Sequence, residues 1–336
     1  MNTKDYQFIP PSKAMKWTGI IATIGMYIIN LVGFLDTQTG SALGCGPDWP
    51  LCNGQVIPNL SNIHVVIEFT HRMLVGGFAL LATIYMIWAL IRYRSFVEVR
   101  IFSLVGIGFI VVQSVLGALA VVFVNPPTVL ALHLGFGLLA MVGVALLTVF
   151  LFQLDAESGH RRSGISFRQD TPISTKRWVW GTWIYTYIAI YWGSYVAFRG
   201  AGEACPTWPL CNGKVFPGFS GAVGLDFIHR LAAVGLAILT VLLLGHLRHY
   251  KATRPDLYRG AFWLFIAVIA QIITGANLAL SHVATGPYLL HIATLMLLFA
   301  DISYLVLQVI PLSKAELPNV ETESGWSSRQ VHNPQG

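Results

Sequence analysis

The chain has 336 residues, 55% of them hydrophobic and only 11% charged, with a formal net charge of +6. A water-soluble domain carries about a quarter charged residues, so much of this surface is expected to face something other than water. The basic balance does not read as a nucleic-acid footprint, because Lys and Arg fall in short separated segments rather than on one patch.

In chain order, a polar start containing Lys4, Lys13 and Lys16 leads into an apolar block at residues 16–36. That block is too long for a signal-peptide core and lacks a small-residue cleavage pattern, so it is read as a retained helix. Further blocks follow at 64–91, 101–124, 129–153, 178–198, 222–247, 260–281 and 287–310. Each is long enough, at about 1.5 Å per residue, to cross about 30 Å of hydrocarbon. In lipid every backbone donor and acceptor needs an internal partner, so the blocks are expected to be helices. Arg92, Arg94 and Arg100 lie between the second and third blocks. Arg161, Arg162, Arg168, Lys176 and Arg177 lie between the fourth and fifth, and Arg248, Lys251, Arg254 and Arg259 between the sixth and seventh. The alternate connections contain only Arg199 and Lys214. Cytoplasmic loops carry the Lys/Arg excess, which predicts a multi-pass cell-membrane protein with both termini inside. The polar stretch from Leu312 to Gly336 is expected to be disordered.

The chain also repeats itself. Cys45-Gly-Pro-Asp-Trp49-Pro-Leu-Cys52-Asn-Gly returns as Cys205-Pro-Thr-Trp208-Pro-Leu-Cys211-Asn-Gly. Glu68-x-x-His71-Arg72 returns as Asp226-x-x-His229-Arg230, Gln113 with Gly117 as Gln271 with Gly275, and His133 as His291. From Glu68 onward the register is a constant 158 residues. The expected fold is therefore all-α and integral to the membrane. Its eight transmembrane helices would form two tandem four-helix bundles related by a pseudo-twofold axis along the membrane normal. The bundles span 1–153 and 178–311, joined by a cytoplasmic linker at 154–177 and followed by the tail at 312–336.

Each half places one histidine near the outer start of its second helix and another near that of its fourth. A lone histidine at membrane depth reads as hydrogen-bonding glue between helices. Two duplicated pairs at matched depth read better as axial ligands gripping heme iron from both sides. Zinc would need third and fourth ligands that neither pair supplies. His64 shares the His71 face but has no counterpart and ranks below the four. His160, His246, His249, His282 and His332 need no special role.

Glu68 stands one turn before His71, where a carboxyl group is costly unless paired or functional. Its counterpart Asp226 is one methylene shorter, so the halves are expected to differ in task. Arg72 and Arg230 are candidates for pairing with heme propionates, with snorkelling to lipid phosphate as the plainer account. Gln113 and Gln271, with small residues four positions on, read as helix packing rather than cavity lining. The four cysteines sit in the two outer loops, where the oxidising side makes Cys45–Cys52 and Cys205–Cys211 disulfides the simplest reading. A redox role for the first pair and a four-cysteine zinc site are the alternatives. Trp49 and Trp208 suit lids at the headgroup level.

These duplicated cysteine loops, the Glu68-x-x-His71-Arg72 motif and the four outward histidines resemble the heme A synthase family, in its form with cysteine pairs in both extracellular loops. The resemblance runs to about residue 311. It implies an oxidoreductase that turns the C8 methyl of heme O into a formyl group, giving heme A for terminal oxidases. It further implies a heme b cofactor on His229 and His291, and heme O received by His71 and His133. Glu68 maps to a carboxylate needed for activity, Cys45 and Cys52 to a pair tied to catalysis, and Cys205 and Cys211 to a structural disulfide. The implied partners are the heme O substrate and membrane lipid, with heme O synthase, an electron acceptor and a second copy of the chain also compatible. Asp36, at the outer end of the first helix, departs from the family pattern. The rival readings are a di-heme b-type electron-transfer protein acting on quinol, and a transporter using the histidines for protons or metal.

Overall fold

The computed structural model describes residues 10–47, 49–160 and 171–310, with the side chains of all but 157–160 among them. The tail from Leu312 onward, Lys4, and Arg161, Arg162 and Arg168 lie outside the described residues. Eight long helices follow one another: α1 (Lys13–Gln38), α2 (Ile63–Tyr93), α3 (Val97–Val122), α4 (Pro127–His160), α5 (Ile173–Phe198), α6 (Gly221–Leu247), α7 (Pro255–Leu280) and α8 (Thr285–Val309). No strand occurs among the described residues beyond two isolated bridges in the outer loops.

Seven of the eight helices are long and apolar enough to cross a membrane. The exception is α5, as long as α1 at 26 residues but carrying Lys176, Arg177 and a run of Trp, Tyr and Thr. Several helices begin on sequence-encoded caps. Ser12 Oγ accepts from the Met15 amide at 3.2 Å, and Asn62 Oδ1 from the His64 amide at 2.9 Å. Pro255 opens α7, where its missing donor costs nothing. α4 runs past residue 153, the boundary expected from hydropathy, because hydrogen bonding continues once the chain leaves the apolar layer. There Asp155 receives Lys16 Nζ at 2.5 Å, fastening the ends of α1 and α4.

Within the first half α1 packs on α2 and α4, and α3 on α4; within the second, α5 packs on α6 and α8, and α7 on α8. The halves meet where α4 and α1 touch α8 and α4 touches α5. The central position of α4 and α8 shows in their burial: 78% and 61% of their apolar windows are inside the protein, against 17–39% for the other five. A helix buried on all sides can be apolar on all sides, so these two show no polar face to read from the sequence. Small residues permit the closest crossings. A methyl group on Gly143 of α4 would stand 3.0 Å from the Gly106 Cα of α3, so those backbones meet directly.

Candidate functional site

The two outer loops are built alike. Cys45–Cys52 and Cys205–Cys211 are disulfides, and no cysteine is free. The sulfurs are thereby committed to each other, which removes the four-cysteine zinc alternative. After each second cysteine the chain reverses through Asn53-Gly54 or Asn212-Gly213, all four at positive φ. Asn and Gly tolerate that conformation where other residues do not, so the repeated Asn-Gly marks a two-residue hairpin turn. The turn is closed by Cys52 and Gln55 in one loop and by Cys211 and Lys214 in the other. The asparagine side chains reach back as well: Asn53 Nδ2 donates to the Gly44 carbonyl at 3.1 Å and Asn212 Nδ2 to that of Ala204 at 3.0 Å.

The first loop is bolted to α2. Glu68, 2% exposed, accepts the Cys45 amide on Oε2 at 2.7 Å. Its Oε1 accepts Arg72 Nε at 3.1 Å, and Arg72 Nη1 donates to the Leu51 carbonyl at 2.8 Å. The buried carboxylate is thus matched by one cation and one amide, the condition under which such burial is tolerable. In the second half Arg230 Nη2 stands 3.1 Å from Asp226 Oδ2, and Nη1 donates to the Thr207 carbonyl at 2.7 Å. Both arginines therefore face the loops instead of extending freely towards headgroups. His64, meanwhile, meets Ser41 Oγ through Nδ1 at 2.9 Å and serves as a loop fastening.

Beneath the first loop lies a cavity of about 550 Å³. Its wall includes His71 of α2 and His133 of α4, each about two turns below the start of its helix. Glu68, Arg72, Cys52 and Trp49 stand at the same cavity, and Trp49 remains 52% exposed, as a side chain at a rim should be. Gln113 and Gly117 line it too, so they serve the cavity and not only helix packing as the sequence suggested.

Each histidine ring rests on a glycine of the preceding helix. A methyl group on Gly33 would stand 2.9 Å from His71 Nε2, and on Gly117 it would stand 3.1 Å from His133 Cε1. On Gly193 the distance to His229 Cε1 would be 2.6 Å, and on Gly275 it would be 3.1 Å to His291 Cε1. Four glycines on four helices thus leave room for four imidazoles. Only Gly117 and Gly275 were visible as a repeat in the sequence, and as packing residues. The signal that could have found Gly33 and Gly193 is their common spacing to Gly40 and Gly200.

The polar partners of the ring nitrogens differ. His133 Nδ1 lies 3.0 Å from the Gln113 carbonyl, which assigns the proton to Nδ1 and leaves Nε2 a free lone pair. His71 Nδ1 stands 3.5 Å from Asp36 Oδ2. His291 meets Gln271 Nε2 at 3.1–3.2 Å and Thr274 Oγ1 at 3.2 Å. His229 Nδ1 is buried without a hydrogen-bond partner. A buried ring nitrogen without a partner is an exception among buried polar groups, and His229 differs in this from His133, whose Nδ1 is held by a carbonyl. No group of three or more His, Cys, Asp or Glu able to hold a metal ion occurs among the described residues. The donor sets are two imidazoles on facing helices in each half, which suits a metal whose other ligands come with it, as in heme.

Residues 16–302 match the family model COX15-CtaA, described as cytochrome oxidase assembly protein. The protein of Alkalihalophilus pseudofirmus named heme A synthase is 34% identical over 299 residues, covering 88% of this chain and 97% of its own. Those of Shouchella clausii, 36% identical over 88% of this chain and 97% of its own, and Symbiobacterium thermophilum, 34% identical over 90% and 97%, carry the same name.

Proposed function

Because this chain belongs to the COX15-CtaA family, we propose that it is, like the relatives named heme A synthase, a maker of heme A, and that it is a membrane oxidoreductase converting heme O to heme A. The observation that carries this reading is the cavity at which His71, His133 and Glu68 meet the Cys45–Cys52 disulfide.

In the finer reading all eight helices cross the membrane, α5 included, as two tandem four-helix bundles about an axis along the membrane normal. The constant register of 158 residues and the recurring helix pairings support this. So does the length of α5, whose Trp and Tyr residues suit a membrane-facing helix despite their low hydropathy. The Lys/Arg distribution supports cytoplasmic termini and cysteine loops outside.

The first half receives heme O on His71 and His133, which line its cavity. The other half holds heme b on His229 and His291, a pair of imidazoles seated on Gly193 and Gly275 just as His71 and His133 are seated on Gly33 and Gly117. Heme b, when bound, supplies one-electron redox capacity. The chain's own residues do the rest. His71 and His133 orient the substrate ring, and Arg72, which lines the same cavity, is the candidate to pair with a propionate, with Arg230 its counterpart in the other half. Glu68, fixed by Arg72 and the Cys45 amide, is positioned to accept a proton or to stabilise positive charge developing beside the ring.

The deciding experiment is pigment extraction from the purified, heme b-loaded protein before and after incubation with heme O under turnover conditions. Formyl or hydroxymethyl heme is the expected product. Recovery of unmodified heme alone would move the chain to the di-heme electron-transfer reading.

A further inference from the structure

Asp36 is the feature of the first half that the proposed chemistry does not use. It sits within the last turn of α1, is 5% exposed, and borders the cavity. A carboxylate there is doubly unfavourable: burial disfavours its charge, and the C-terminal end of a helix carries the negative pole of the helix dipole. Its one ion-pair partner among the described residues is the His71 ring, with Nδ1 to Oδ2 at 3.5 Å, and Oδ1 is buried with no partner at all. The main chain at this helix end is closed, since the Asp36 carbonyl accepts the Ser41 amide at 2.8 Å.

The second half supplies the internal control. Counting from Gly33 and Gly193, which underlie equivalent histidines, the position of Asp36 is taken by Val196, equally buried at 4%. His229, lacking any carboxylate behind it, keeps Nδ1 unpartnered. One half of the repeat therefore accepts the cost of a buried carboxylate behind its α2-type histidine, and the other does not.

We propose that Asp36 is a positioning residue for the substrate half: its carboxylate accepts the Nδ1–H of His71, fixing the ring's tautomer and rotation so that Nε2 faces the iron of bound heme O. The gap of 3.5 Å exceeds a hydrogen bond of about 2.7–3.2 Å, and a small rotation of either side chain closes it once the ring is held by iron. A carboxylate behind a ligating imidazole also raises its basicity, so the two hemes would sit on unlike histidines. This inference rests on the assignment of heme O to His71 and His133.

The test uses holoenzyme loaded with heme b, titrated with heme O and read by optical binding and by electron paramagnetic resonance of the ferric low-spin hemes. Asp36→Asn, close to isosteric, should weaken heme O binding about 10- to 100-fold. It should also shift the low-spin signal of the substrate heme while the heme b signal stays unchanged, and that unchanged signal reports that the chain has folded. Asp36→Glu should restore binding and signal in part. Unchanged affinity and signal in Asp36→Asn would overturn the proposal, as would weakened binding with an unaltered substrate-heme signal, which packing alone would explain. His71→Ala separates the two readings. If bis-imidazole heme O persists in that variant, the assignment of His71 fails irrespective of Asp36.

Discussion

At the scale of single residues, the difference between Glu68 and Asp226 is one methylene, and it decides what each carboxylate reaches. Glu68 spans the gap to the Cys45 amide while still holding Arg72. Asp226 lies beside Arg230, but its Oδ2 makes no hydrogen bond. The Glu68 carboxyl group is therefore fixed at the cavity wall, where the proposed function has it accept a proton from the substrate. Glu68→Gln keeps the shape and removes the charge. Product formation in that variant is expected to fall by about 100-fold or more, with heme content per protein within about twofold of the parent. Wild-type turnover, measured by extraction of the heme products, would take Glu68 out of the mechanism.

At the scale of elements, the histidines depend on how closely neighbouring helices approach. A side chain on Gly193 would fall 2.6 Å from the His229 ring, so Gly193→Ala must push that ring or its helix aside. Overpacking of this kind costs about 1–3 kcal/mol, enough for roughly a five- to hundred-fold loss of heme b affinity. Gly181, on the same helix α5, has nothing within 4 Å of an added methyl, and Gly181→Ala should retain heme b normally. The heme-to-protein ratio after purification checks both; equal retention would contradict the ring-on-glycine account. The outer loops offer a second comparison. Opening Cys205–Cys211 with a paired Ser replacement should cost about 2 kcal/mol, the loop-closure value for a ring this small, and lower the melting temperature. Opening Cys45–Cys52 should do the same and in addition impair product formation, because the Cys45 amide holds Glu68. Equal turnover in both paired variants would reduce the first disulfide to a staple.

At the scale of the whole molecule, the two halves are joined by more than a linker. Tyr27 Oη donates to the Ala293 carbonyl at 3.2 Å, Gln38 Nε2 donates to that of Val283 at 3.0 Å, and Phe34 meets Tyr288 edge to face. With α4 and α8 at the centre, the two histidine pairs are carried on helices that pack against each other. The proposed orientation puts the α3–α4 connection outside and the α6–α7 connection inside. A cysteine in place of Phe123, 61% exposed beside the former, should react with an impermeant maleimide on intact cells. One in place of Ala252, exposed in the latter, should react only after permeabilisation. The reverse pattern would invert the topology.

Much of this architecture was legible in the sequence because its causes are local or periodic. Apolar length specifies a spanning helix, Asn-Gly after each second cysteine specifies a turn, and a constant spacing between motifs specifies a repeat. Those signals located His71, His133, His229 and His291, Glu68 and both cysteine pairs without coordinates. What stayed hidden depended on which surfaces meet. Gln113 and Gly117 looked like packing residues, since no one-dimensional pattern distinguishes a small residue that admits a helix from one that admits an imidazole. Arg72 and Arg230 reach backbone carbonyls that only the folded loops bring near, contacts that no spacing along the chain announces. The same holds for Asp36, which is 35 residues from His71 along the chain and 3.5 Å from it in space. The sequence by itself determined the helices, the duplication and the recurring histidine pairs, because hydropathy, turn chemistry and spacing act along the chain. Only the tertiary structure decided that His71, His133 and Glu68 line one cavity and that His71 has a carboxylate behind it, because burial and pairing are properties of surfaces that meet after folding.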